Sequence, residues 1–178
     1  MYESSEHQDK VLAIKSSQGD SEAFGALFDK YNKKIYRYIF FKVGSQETAE
    51  DLASQTFLKC WESLSGGNQV NKFQAWIYRI ARNLIADYFR TREKEELPLI
   101  YGDEEIEDPV VVDPDHNIDR EALEKILFTL KTEVREIILL RYIEDLSIKE
   151  IAKIVDKSTV NVRVIIHRAV KELKDYIK

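Results

Sequence analysis

Apolar residues in "DSEAFGALFDKYNKKIYRYIFFKV" fall at Phe24, Leu27, Phe28, Tyr31, Ile35, Tyr38 and Ile39, the spacing that lines one side of a helix. Gly44 closes the pattern, as glycine does at helix ends. Ser45 then caps a second helical pattern, "QETAEDLASQTFLKCWESL", whose Ala49, Leu52, Ala53, Phe57, Cys60 and Leu64 share one side. "SGGNQVN" reads as a loop, and Asn71 with Gln74 is spaced as a variant capping box for "KFQAWIYRIARNLIADYFR". Further on, "IDREALEKILFTL", "EVREIILLRYI", "SIKEIAKIV" and "STVNVRVIIHRAVKELKDYI" predict four more helices with short joins. Ser147 and Glu150 are spaced as a capping box, and "DKS" turns the third of these into the fourth, the outline of a helix-turn-helix. No period-two pattern competes, so the predicted fold class is all-α.

Between the two helical groups, residues 93 to 116 contain all three prolines, Pro98, Pro109 and Pro114, which excludes a continuous helix. The expected organisation is therefore a helical domain over 1–91, a linker over 92–116 and a second helical domain over 117–178. The charge supports this division. The chain carries a net −5, yet residues 93 to 116 hold ten acidic residues against one lysine, so the remainder is +4. A basic surface for phosphate is thus compatible with an acidic average.

Composition excludes several classes. With 178 residues and 44% hydrophobic content the chain can bury a core. It has no apolar run long enough for a membrane span, and "MYESSEHQDK" lacks a signal-peptide pattern, so a cytoplasmic protein is expected. The single cysteine, Cys60, forms no internal disulfide, and His7, His116 and His167 lie in different segments without metal-ligand spacing. There is no P-loop, dinucleotide fingerprint or Ser-His-Asp arrangement, and the neighbours Glu50 and Asp51 point apart on a helix. No catalytic residue, metal or cofactor is expected.

Two helices carry candidate binding chemistry. In "KFQAWIYRIARNLIADYFR", steps of about 100° gather Ile80, Phe73, Leu84, Ile77, Tyr88, Ala81, Ile85, Tyr78 and Phe89 on one half of the circumference. Arg82, Ala75, Ala86, Arg79, Arg90 and Asn83 take the other, with Trp76 at its edge. Read alone, that arc suits either a solvated polar face or a nucleic-acid surface, with alanines admitting a phosphate backbone and Trp76 offering a stacking edge. In the last helix, Ser158, Thr159, Val160, Asn161, Arg163 and Val164 are placed to reach base edges, and Lys157, Arg168, Lys171 and Lys174 to reach phosphates. His167 reads as a phosphate contact or a plain surface residue. An ordinary helical hairpin is the other reading of this segment.

Taken together, the motifs resemble the extracytoplasmic-function branch of the bacterial sigma-70 family of sigma factors. "TAEDLASQTFLKCWESL" resembles the helix that docks on the polymerase clamp, "FQAWIYRIARNLIADYFR" the helix facing the promoter's melting element, and "SIKEIAKIVDKSTVNVRVIIHRAVKEL" the helix-turn-helix for the distal element. The resemblance implies a non-enzymatic sigma factor that binds core RNA polymerase at clamp and flap and directs promoter-specific initiation. Promoter DNA is then a partner, and an anti-sigma factor is one that the family allows. It implies Glu50, Asp51, Leu52 and Phe57 at, or supporting, the polymerase interface, and Trp76, Arg79, Arg82, Asn83 and Arg90 towards the melting element. Asn68 and Gln69, in the loop 65–72, fall where the family receives a flipped base, whose extrusion cost stacking and hydrogen bonds must return. The acidic linker corresponds to a segment that threads polymerase channels, where its carboxylates suit a basic path; a solubilising tether is the other reading. Departures from the family pattern are Ser54 for a frequent Gln, Asp156 for the turn's Gly, and Val160, Asn161, Val164 and Ile165 for Gly, Thr, Ser and Arg. From the residues alone, a free-standing helix-turn-helix regulator acting without polymerase, or an adaptor that contacts only protein, stays open.

Overall fold

The computed structural model describes residues 2–95, 127 and 129–176, and every regular element among them is helical. The chain divides into two compact units, 1–106 and 107–178. The predicted helix "IDREALEKILFTL" and residues 96–116 of the linker lie outside the described residues, save for Leu127, Thr129 and Leu130 of the former.

The first unit is built from α1 (Tyr2–Ser17), α2 (Ser21–Val43), α3 (Gln46–Ser65) and α4 (Phe73–Glu95). Local chemistry sets its boundaries. Asp20 caps α2 through an Ala23 N–H donated at 3.0 Å, and Gly44 ends it in the left-handed region at φ 71°, donating to the Phe40 carbonyl. Ser45 caps α3 as its position predicts, accepting from the Thr48 N–H. The capping-box expectation for α4 is corrected: Lys72 holds the capping position, its carbonyl accepting from the Trp76 N–H, and Asn71 lies one residue outside. At its other end α4 runs to Glu95, into the segment expected as linker.

Leu27, Tyr31, Ile35, Tyr38 and Ile39 of α2 pack with Ala49, Leu52, Phe57, Cys60 and Leu64 of α3 and Phe73, Ile77, Tyr78 and Ala81 of α4, all buried. Tyr38 and Tyr78 meet edge to face at 5.2 Å, a contact worth about 1 kcal/mol beyond its buried area. Burial pushes the Cys60 thiol up to about 12, so it is a packing group rather than a reactive one. Helix α1 is an element the apolar pattern did not reveal, because a polar residue fastens it. The buried Asp9 accepts from the Tyr31 hydroxyl and pairs with Lys30, and the buried Ser16 donates to the Leu12 carbonyl at 2.8 Å. Two stripe positions of α2 are less deep than their spacing suggests: Phe24 is half-buried, and Phe28 is exposed at one face while resting edge-on against Phe57 at 4.7 Å.

In the second unit, α5 (Thr132–Ile138) widens into a π turn over Leu139–Ile143, followed by α6 (Ile148–Val155) and α7 (Thr159–Tyr176). "EVREIILLRYI" is thus not a uniform α-helix; the Glu144 N–H reaches five residues back to Leu139, and Asp145 then takes φ 55°. The capping box at Ser147 and Glu150 is present in both directions, which starts α6 firmly. Asp156 ends α6 at φ 55°, with its own N–H and that of Lys157 both donated to the Ala152 carbonyl. Ser158 opens α7, its hydroxyl accepting from the Asn161 N–H at 3.1 Å. A side chain in the left-handed region pays a backbone cost that glycine avoids. Asp156→Gly is therefore expected to stabilise this unit by about 1 kcal/mol, read as a higher denaturation midpoint.

Candidate nucleic-acid interface

The loop after α3 determines what stands beside α4. Gly67 takes φ 85° and reverses the chain, a conformation a side chain would strain. Its N–H donates to the Leu64 carbonyl, and that of Asn68 to Ser63. The Asn68 amide then donates to the Ser63 hydroxyl at 2.8 Å. The curl seats Asn68 over the end of α3, facing α4. Lys59, Glu62, Ser63, Asn68, Trp76, Ile80 and Asn83 together line a cavity of about 580 Å³. Trp76 is half-buried and held against the buried Phe73, ring centres 5.8 Å apart. One wall is therefore aromatic, and the rim is amide, cation and carboxylate.

Of the residues expected to face the melting element, Asn68, Trp76 and Asn83 meet at this cavity. Gln69, Arg79 and Arg90 are exposed and Arg82 half-buried, all outside the lining. Arg90 is paired with Asp87 one turn earlier, which moderates its charge. Arg79 is exposed to solvent-borne phosphate. Lys59, Glu62, Ser63 and Ile80 are additions. Their signal was present in part: 59, 62 and 63 share one side of α3, but only the reversal at Gly67 brings that side to α4. Ile80, assigned by its angle to the packed half, is half-buried at the cavity, and Phe89, also assigned there, is exposed. Arg92 lies over the Tyr88 ring at 5.8 Å and donates to its hydroxyl.

On the outer face of α3, Glu50 and Asp51 are exposed. Glu50 accepts from Gln46 at 3.0 Å, and its charge, after burial, is the second cause that pushes the Tyr36 phenol up. Leu52 and Phe57 are only 5% exposed each and pack beneath that surface. The large apolar residue of α3 that does reach solvent is Leu58, 57% exposed and outside the predicted apolar stripe.

In the helix-turn-helix, Val160 is 65% exposed, and Asn161, Arg163, Val164, His167, Arg168 and Lys171 are exposed as well. Ser158 is exposed but its oxygen serves the cap, and Thr159 is half-buried. Lys157 is half-buried and pairs with Glu133 of α5 at 2.7 Å, which ties the turn to the preceding helix. Arg163, His167 and Lys171 also border a groove of about 520 Å³ whose floor includes Ile148, Ile166 and Val170. Among the described residues no group of His, Cys, Asp or Glu could hold a metal ion, and no helix is long and apolar enough to cross a membrane.

Comparison with known proteins matches two segments of the chain. The family model for Sigma-70 region 2 matches residues 27–95, and that for Sigma-70, region 4, matches 120–173. The extracytoplasmic-function (ECF) RNA polymerase sigma factor SigW of Bacillus subtilis is 30% identical over 90% of this chain and 92% of its own length. The corresponding factor BldN of Streptomyces coelicolor is 32% identical over 91% of this chain, which spans 63% of BldN. Among solved structures, CnrH in complex with the cytosolic domain of CnrY has a TM-score of 0.69 at 24% identity, covering 96% of this chain and 97% of CnrH. The sigma factor RpoE from Bartonella quintana, in complex with the anti-sigma factor NepR, also scores 0.69 at 19% identity, over 86% of this chain and 96% of RpoE. These two likenesses are of fold.

Proposed function

The chain belongs to the extracytoplasmic-function branch of the sigma-70 family, and from that premise we propose that it joins core RNA polymerase in the cytoplasm, directs it to a promoter and helps to open the DNA. The observation that carries this reading is the α3–α4 cavity beside an arginine-bearing face. An unstacked base needs a flat apolar wall and hydrogen-bonding groups to offset its extrusion, and Trp76, Asn68 and Asn83 supply both in one place. Arg79 and Arg82 extend the surface along the strand's phosphates. The exposed Val160, Asn161 and Val164 of α7 read a distal element in the major groove, with Arg168 and Lys171 on its phosphates. Glu50, Asp51 and Leu58 face the polymerase clamp. The protein makes no covalent bond itself.

Core polymerase supplemented with the purified chain should initiate from a cognate promoter, and absence of core binding at low salt would sink the reading. Asn83→Ala separates the steps. It removes an exposed amide from the cavity without touching the core, so promoter opening should fall by about tenfold, the effect of one or two lost hydrogen bonds. Core affinity should stay within about twofold, since Asn83 lies on α4 and away from the outer face of α3. Equal losses in opening and core binding would count against this division of labour.

A further inference from the structure

We propose that the α3–α4 cavity selects its unstacked base by an exocyclic amino group, with the Glu62 carboxylate as acceptor, and so rejects thymine. The inference rests on the initiation reading above. Its starting point is a charge in an unfavourable place. A carboxylate beside a DNA strand is repelled by phosphate, and Glu62 is exposed in the last turn of α3, where the helix end is itself negative and the turn holds no basic residue. Among the described residues its side chain has no hydrogen-bond or ion-pair partner. Helix electrostatics and local pairing therefore give it no role, whereas a donor entering the cavity would.

The other lining groups agree with such a donor. Trp76 and Ile80 form walls for a flat ring, and Lys59, one turn before Glu62, supplies a cation for the phosphate of the extruded nucleotide. One N–H of the Asn68 amide is donated to the Ser63 hydroxyl at 2.8 Å, and its carbonyl oxygen is a second acceptor. Asn83 brings an amide able to donate to a ring nitrogen. Cytosine and adenine each present an amino group beside a ring-nitrogen acceptor, and guanine presents an amino group beside a ring N–H. Thymine presents a single N–H flanked by two carbonyl oxygens, and either oxygen would be pressed towards the carboxylate.

The test uses holoenzyme reconstituted from core polymerase and the full chain, with promoter templates varied base by base through the melting element. At one position thymine should lower the opening rate by about tenfold or more against the best amino-bearing base, the discrimination of one good base contact. Cytosine replaced there by 2-pyrimidinone, which lacks only the amino group, should behave like thymine. Glu62→Ala should bring thymine to within about threefold while leaving core affinity unchanged; Glu62→Gln, which keeps an acceptor oxygen without the charge, should fall between the two. The proposal is overturned if thymine is accepted at every position, or if Glu62→Ala leaves the thymine penalty intact. Absence of opening on every template would instead remove the initiation reading and the proposal with it.

Discussion

Arg135→Met should unfold the second unit at denaturant concentrations that leave the first intact. Arg135 is 6% exposed, donating from Nε to the Leu127 carbonyl at 3.0 Å and from its terminal nitrogen to the Leu130 carbonyl at 3.1 Å. Those carbonyls belong to the chain leading into α5, so one side chain ties that segment to the helix-turn-helix support. Burial lowers the guanidinium pKa from its ordinary value, a sign that the charge pays for desolvation and is retained by its bonds. Methionine matches much of the volume and removes the donors. Two charge-assisted bonds are lost and two carbonyls are left in the interior, for a net cost of about 3 kcal/mol. A small unit has little more than that to lose. Both tryptophans, Trp61 and Trp76, lie in the first unit. The expected signature is therefore an early loss of far-ultraviolet helical signal with no change in tryptophan fluorescence. A helical signal that melts as in the parent chain would refute the assignment.

Leu58→Asp should abolish tight polymerase binding without unfolding anything. Leu58 is 57% exposed, on the same side of α3 as Asp51 and Gln55, and its removal exposes no core. A carboxylate set against an apolar partner surface should raise the Kd for core by roughly thirtyfold, about 2 kcal/mol. Helix propensity should cost under about 1 kcal/mol. Leu52→Ala and Phe57→Ala give the opposite pattern. They remove side chains that are 5% exposed and should cost the first unit about 3 kcal/mol each. Their effect on polymerase binding should then follow the folded fraction alone. Binding assays at matched folded fraction distinguish contact from support, and an unchanged Kd for Leu58→Asp would exclude this face from the interface.

Much of this molecule is legible in one dimension. Gly44, Ser45 and the Ser147 and Glu150 pair mark helix ends because capping is settled within four residues. The buried side of α3 follows from period alone, every position from Ala49 to Leu64 in the predicted stripe being buried. Asp156 could be recognised as a replacement for glycine, and it does occupy the left-handed region that makes glycine usual there. Helix α1 was not legible, because its attachment is the Asp9 contact with Tyr31 and Lys30, residues more than twenty positions away, and no apolar stripe announces such a pin. The π turn after Ile138 was equally hidden, since the same apolar spacing suits an α-helix.

For the binding surfaces the division has a physical reason. Periodicity assigns each residue to a side of its own helix, and that determined the all-α class, the arginine face of α4 and the outward valines of α7. It does not say how deep a side lies or which neighbour it meets. Only packing buried Leu52 and Phe57, drew Lys157 into a pair with Glu133, and left Leu58 and Phe89 in solvent. The cavity is the clearest case: Asn68 and Asn83 were legible as candidates, but Lys59, Glu62 and Ser63 join them only because Gly67 turns the chain back over the end of α3. A site assembled from two helices and a reversal is a property of distances across the fold, which local sequence rules leave undetermined.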